Sequence, residues 1–437
     1  MELMSRYKLT EVGVIPEDWE VNSLVSLSEK IMVGIASAAT HAYRDKGIAL
    51  LRNQNIKVGF LDDSDVLYVD PAYESVFRNK RLKSGDLLTA RTGYPGTTCV
   101  VPEKYESAQS FTTLITRPNA KAVDSLYLCY YINSEYGQRF FEQSKIGGAQ
   151  KNVNAGSLKT MPVPLPTISE QRAIATALFD VDAMIGSLDR LTAKKRDMKQ
   201  ATMQELLTGK RRLPGFTTCN HLIQTNFGVL PEDWVVKPLK QISTMNGRIG
   251  WQGLKQEEFS FNGDDPFLIT GMNFKDGDIR WNEVYHITEN RYEEAIPIQL
   301  RNGDILMTKD GTIGKMLYVS HIPSPSKASL NSHLLVFRPI CNSYDPKFMF
   351  YQLCSRRFTD FIDLNKSGTT FFGITQESVG NYPTCLPAFE EQRAIATILS
   401  DMDADINIME QKLDKTRMMK QGMMQELLTG RIRLYDD

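Results

Sequence analysis

Several segments of this chain carry residue types that do chemistry at other spacings. Asp70-Pro71-Ala72-Tyr73 is one residue away from the Asp-Pro-Pro-Tyr that holds an amino group for methylation. That motif works beside a glycine-rich cofactor turn after a strand, and no such turn is found. Gly311 to Met316 reads GTIGKM but lacks the GxxxxGK[ST] spacing that cradles phosphates. Asp62, Asp63 and Asp65 cluster without the ExK strand of a nuclease. The six cysteines form no CxxC pair, and His41, His221, His286, His321 and His333 show no HxH or HxxxH spacing. No metal site and no cofactor are expected, and the thiols are expected to be free and mostly packed.

Binding chemistry is better represented. A glycine-rich loop follows Gly85-Asp86-Leu87-Leu88 and again Gly303-Asp304-Ile305-Leu306. The first loop offers Arg91, Thr92 and Tyr94; the second offers Lys309, Asp310, Thr312 and Lys315. Glycines let backbone approach a groove, and Arg or Lys can read guanine edges or neutralise phosphates. The competing reading is a tight hairpin with solvated charges. Two further loops, KIGGAQKN from Lys145 and KSGTTFF from Lys366, add Lys145, Gln150, Lys151, Lys366, Thr369 and Thr370. Arg52, Asn53 and Asn55 complete the set, since amides can pair with adenine.

Composition bounds these readings. The chain has 437 residues, 42 % apolar and 24 % charged, which suits two or three globular domains. No run of about 18 apolar residues suggests a membrane span, and the start lacks a signal-peptide core, so a cytoplasmic protein is expected. The net charge of −1 is not that of a typical nucleic-acid binder. Any such role must rest on local patches or on partners that supply positive surface.

The elements that position these loops occur twice. Val14 to Leu24, VIPEDWEVNSL, recurs as VLPEDWVVKPL from Val229. Ile168 to Leu213 and Phe389 to Leu434 share about 26 of 46 aligned residues, with EQRAIAT near the start and QELLTG near the end. Between these blocks the glycine pairs Gly85/Gly303, Gly93/Gly311 and Gly96/Gly314 coincide while most side chains differ. A ligand with two similar but non-identical halves would fit such a pattern.

Both shared blocks predict helices of about 40 residues, about 60 Å long. Each ends at a glycine, Gly209 or Gly430, suited to a C-cap. Apolar residues alternate in steps of four and three: Ile174, Leu178, Val181, Ile185 and Leu188, then Ile395, Leu399, Met402, Ile406, Met409 and Leu413. That heptad seam calls for a partner helix, and antiparallel pairing of the two copies is expected over each helix lying on its own domain. Thr192, Lys195 and Lys199 interrupt the seam. Met198, Met203, Leu206 and Leu207, with Met419, Met423, Met424, Leu427 and Leu428, form a separate stripe that suits either core packing or docking of another chain. Basic residues in the same stretches, from Lys194 to Arg212 and from Lys412 to Arg433, suit a solvated face or a helix beside DNA.

The expected organisation is a globular domain over 1–166, a long helix over 167–213, a second globular domain over 214–387 and a second long helix over 388–437. With the GV(I/L)PEDW, GD(L/I)L, EQRAIAT and QELLTG(K/R) blocks each present twice, the chain resembles the specificity subunit of type I restriction-modification systems over essentially its whole length. The resemblance implies an α+β fold: two similar mixed α/β target recognition domains joined by two long helices in an antiparallel coiled coil, a pseudo-two-fold tandem repeat. It implies a non-catalytic subunit whose domains each read half of a split site in double-stranded DNA. It also implies two methyltransferase subunits using S-adenosylmethionine, and two motor-nuclease subunits. The rival classes are an enzyme with built-in readers, which would bind S-adenosylmethionine or ATP alone, and a protein scaffold, which would show no salt-dependent DNA binding.

Overall fold

The GD(L/I)L strands show how each half is layered. The computed structural model of the protein describes residues 6–144, 153–216, 221–225, 228–247, 256–275, 277–368 and 372–434. Two units emerge: residues 1–190 with 410–437, and residues 191–409. Each long helix, Ile168–Leu206 and Phe389–Leu427, therefore contributes one part to each unit.

In the first unit an antiparallel sheet runs in the order Ser28–Val33, Leu114–Pro118, Leu87–Thr89, Thr98–Val100. Alternate residues point to opposite faces. Leu87 and Leu114 enter a core with the helix Ser125–Asn133 and Ile174, while Leu88 and Ile115 enter a second core on the other side. Because both faces of the central strands are covered, apolar residues stand side by side there, as Leu87-Leu88 and Leu114-Ile115. Each fully buried Leu contributes about 1.5–3 kcal/mol. A second sheet, ordered Gln109–Phe111, Ile48–Arg52, Leu67–Val69, Tyr43–Arg44, begins with a parallel pair.

The second unit repeats this plan. Its antiparallel sheet runs Ser243–Asn246, Leu334–Pro339, Ile305–Thr308, Met316–Tyr318. Ile305, Met307, Leu335 and Phe337 enter one core and Leu306, Leu334 and Val336 the other. Its other sheet ends on the parallel pair Phe267–Ile269 and Ala328–Leu330. The aspartate of the shared motif is structural in both units. Asp86 is buried and accepts from Arg117 Nε at 2.8 Å, and Asp304 accepts from Arg338 Nε at 2.7 Å.

The other shared motifs meet at one joint per unit. Gly430 has φ +69°, and a Cβ there would stand 2.5 Å from Pro16 Cγ and 3.0 Å from a Trp19 ring carbon. Gly209, φ +68°, meets Pro231 and Trp234 in the same way. Only glycine serves here, for both the left-handed backbone and the close approach. Arg433 then bridges Glu170 and Asp18, with its guanidinium 5.7 Å from the centre of the Trp19 ring. Arg212 bridges Glu391 and Asp233, 5.8 Å from the Trp234 ring. Hydrogen bonds donated to carboxylates, by Arg212 foremost to Asp233 and by Arg433 foremost to Glu170, push both guanidinium pKa values up. The neighbouring Gln171 accepts from the backbone N–H of Asp124, and Gln392 from that of Asp345, both helix N-caps.

Within each unit the two helices run antiparallel. Asp182 pairs with Lys420 at 2.7 Å and Asp189 with Arg417 at 3.1 Å in the first unit. Lys195 pairs with Asp405 at 2.8 Å and Lys199 with Asp403 in the second. Ile174, Leu178, Val181, Leu188, Ile395, Leu399, Ile406 and Leu413 are buried, with Ile185, Met402 and Met409 half-buried. Thr192 is buried too, 2 % exposed, and beyond it Lys195 and Lys199 pair with aspartates of the other helix. The expectation of a solvated or DNA-facing basic run is thus corrected for Lys195, Lys199, Arg212, Lys420 and Arg433, whose charges face carboxylates, while Arg417 pairs with Asp189 at the solvated surface. The methionine-rich stripe also divides. Met203, Leu206, Leu207, Leu427 and Leu428 are core, while Met198 and Met419 are about half exposed.

Candidate nucleic-acid interface

In the first unit the loop between Leu87–Thr89 and Thr98–Val100 is closed at its neck by Thr89 Oγ1 and Thr98 Oγ1, 2.8 Å apart. Gly96, φ +98°, lies against the ring of Phe141, whereas a Cβ on Gly93 would meet open space. Thr92 and Tyr94 project from this tip, Tyr94 with 84 % of its surface exposed. Asn53 gathers the neighbouring loops: its Oδ1 accepts from Arg91 N at 2.8 Å and its Nδ2 donates to Thr112 Oγ1 at 3.2 Å. Arg91 Nε donates to the carbonyl of Val153, and Arg52 donates to Asp65.

Asn55 has a different place. It is 2 % exposed, its Oδ1 accepts from Arg52 N, and its Nδ2 donates to the carbonyls of Asp62 and Asp65. Asn273 makes the same kind of turn in the second unit, bonding Thr270 and Glu283. An amide buried and engaged this way supports its loop and is not presented to a base.

In the second unit Thr308 Oγ1 donates to the Thr312 carbonyl and accepts from Lys315 N at 3.0 Å, forming the equivalent neck. Lys315 Nζ donates to the Phe274 carbonyl at 2.9 Å. Ile374 N donates to the Lys309 carbonyl, and Asp310 bridges Gly373, which exchanges two hydrogen bonds with Ser367. Gly373 and Ile374 are thereby held against the 309–315 loop. Lys366 donates to Asp363 and lies 5.6 Å from the centre of the Phe372 ring. Asp310 is engaged within the protein: its Oδ2 lies 2.9 Å from Nδ1 of His333. Lys145, Gln150, Lys151, Thr369 and Thr370 lie outside the described residues.

The motifs first weighed for catalysis have structural roles. Asp70 caps the helix Pro71–Ser75 by accepting from Ala72 N at 2.8 Å, the foremost cause of its lowered pKa. Asp63 and Asp65 pair with Lys104 and Arg52. Among the described residues no His/Cys/Asp/Glu group is arranged to hold a metal, and no helix is long and apolar enough to cross a membrane.

The family model described as the type I restriction modification DNA specificity domain matches residues 16–194 and again 231–416. The chain belongs to this family. Each matched stretch of the DNA specificity family opens at the proline of the PEDW block and ends within a long helix. The putative type I restriction enzyme MjaX specificity subunit of Methanocaldococcus jannaschii is 27 % identical over 436 residues, covering 98 % of this chain and 97 % of the relative. The type I restriction enzyme StySPI specificity subunit of Salmonella potsdam is 21 % identical, covering 96 % and 90 %. In fold the chain is similar to the crystal structure of the type I S subunit from M. genitalium, with TM-score 0.58, 14 % identity and 96 % and 97 % of the chains covered. It is also similar to a chain from a study of complex assembly and conformational transition of the type I R-M system, with TM-score 0.56, 17 % identity and 96 % and 99 % covered. Membership gives this chain a role in DNA sequence specificity, as a non-catalytic subunit of such a system.

Proposed function

We propose that residues 1–166 and 214–387 each read one half of a bipartite site in double-stranded DNA, and that the paired helices set the gap between the halves. One observation carries this reading. The two units share the joint, the buried Asp–Arg pair and the buried Asn turn, yet present different side chains on the same loops: Arg91, Thr92 and Tyr94 against Lys309, Thr312 and Lys315. Shared scaffolds with unlike rims suit two related but different half-sites. Arg52, Asn53 and Lys366 are assigned to the same rims, Asn53 as a support for Arg91, and Asn55 and Asp310 act from beneath them; Lys145, Gln150, Lys151, Thr369 and Thr370 are proposed as further DNA contacts.

Two methyltransferase subunits docked on the helices, and two motor-nuclease subunits, complete the proposed complex. The near-zero net charge supports partners that supply much of the positive surface. The test exchanges residues 216–387 for another reader domain in the assembled complex and maps methylated adenines. One half of the modified sequence should change. Loss of both halves, or no change, would overturn the assignment.

A further inference from the structure

His333 sits where the strand Leu334–Pro339 begins, beside the 309–315 loop. Its backbone is held on both sides: its N donates to Asn331 Oδ1 at 3.0 Å and its carbonyl accepts from Lys309 N at 3.0 Å. The side chain is 59 % exposed, and Nδ1 lies 2.9 Å from Asp310 Oδ2. Nε2 has no hydrogen-bond partner among the described residues. Among the described residues the other Asp310 oxygen, Oδ1, is buried without a partner, and the side chain meets a donor at His333. A Cβ on Gly271 would stand 3.0 Å from the Thr308 methyl and 3.9 Å from a Leu334 methyl, and the next residue, Met272, is exposed.

A carboxylate accepts, so the neutral ring donates to it through Nδ1–H and its Nε2 carries a bare lone pair. In the major groove the donors are the adenine N6 and cytosine N4 amines. We propose that His333 is a base-reading residue of the second reader, with Nδ1 anchored on Asp310 and Nε2 accepting from the exocyclic amine of an adenine or cytosine. Asp310 is then a positioning residue. The inference rests on the reading of residues 214–387 as a DNA reader. The first reader has no such pair: Thr113, which precedes Leu114 as His333 precedes Leu334, is fully buried and bonded to Ser110.

The test uses the full chain assembled with its modification partners, with methylated sites mapped for wild type, His333→Ala, His333→Arg, Asp310→Ala and Asp310→Asn. His333→Ala should relax one position in the half read by residues 214–387 and leave the other half unchanged. Asp310→Ala should relax the same position, with partial rescue by Asp310→Asn, which keeps an acceptor. His333→Arg, a donor in place of an acceptor, should move that position toward guanine. In duplexes lacking the amine there (purine for adenine, 2-pyrimidinone for cytosine), wild-type affinity should fall about tenfold, the worth of one hydrogen bond, and that of His333→Ala should not. An unrelaxed half-site in His333→Ala, or equal weakening of both proteins by the analogue, overturns the role of His333. If exchange of residues 216–387 changes one half as expected, that failure is confined to His333; if the exchange changes nothing, the reader assignment falls with it.

Discussion

Arg433 and Glu170 lie 263 positions apart in sequence yet form a fork, Nη2 to Oε2 at 2.8 Å, that closes the first unit with the chain's last helix end. Glu170 is 1 % exposed, so the pair is an obligation as much as a bond. Removing the cation strands a buried carboxylate, which costs about 3–5 kcal/mol where burial is complete. Arg433→Ala should therefore lower the stability of the first unit by about 3 kcal/mol in urea unfolding, and Arg212→Ala should do the same for the second. Arg433→Lys should recover part of the loss, because it keeps the charge without the fork. Unfolding midpoints equal to wild type would show the joint to be incidental.

Acid should act through another buried carboxylate. Glu74 accepts from Arg81 Nε and Nη2, both at 2.7 Å, and from Gln109, and the Arg81 hydrogen bonds foremost hold its pKa below the ordinary 4.5. With the folded value depressed, this contribution is complete above 4.5 and is lost as pH falls from there through the folded value. A stability profile between pH 6 and 3 should fall more steeply for wild type than for Glu74→Gln. Parallel profiles would contradict the assignment.

Thiol reactivity gives an inexpensive check of packing. Burial pushes the Cys129 and Cys354 thiols up to about 12 and raises those of Cys99 and Cys385, while Cys341 is exposed. The thiolate is the nucleophile. Alkylation of native protein at pH 8 followed by peptide mapping should label Cys341 and spare Cys99, Cys129, Cys354 and Cys385. Rapid labelling of Cys129 or Cys354 would mean that these cores are open.

The spacing role of the helices can be measured. Deleting one heptad within 177–199 and one within 398–420 preserves the seam and shortens each helix by about 10 Å, on the order of three base pairs. Methylated sites should then show a correspondingly shorter gap between unchanged half-sites. An unaltered gap would defeat the ruler role.

Two tyrosines tie the readers to these helices. Tyr130 donates to Asp182 and Tyr351 to Asp403, each at 2.8 Å, and each ring also receives the lysine that pairs with its aspartate, Lys420 at 5.5 Å and Lys199 at 5.3 Å. Tyr351→Phe should cost about 1 kcal/mol, one net hydrogen bond, with helix content unchanged by circular dichroism. A variant as stable as wild type would make this contact neutral.

Local pattern was enough for much of this protein. Two heptad runs, two glycine-ended helices, two GD(L/I)L strands and two PEDW blocks are legible because periodicity and turn chemistry act over a few residues. The repeat itself announced two similar units. Partners were not legible. Lys195 and Lys199 break the apolar seam in sequence because their aspartates stand on the other helix, about 200 positions away. Asn53 and Asn55 looked alike, yet one tethers Arg91 and the other is sealed in a turn. Asp310 looked like a surface ligand, and His333 looked idle until the fold set them 2.9 Å apart. A hydrogen bond or ion pair depends on which atoms meet in space, and that is decided when distant segments pack, not by the order in which they are written.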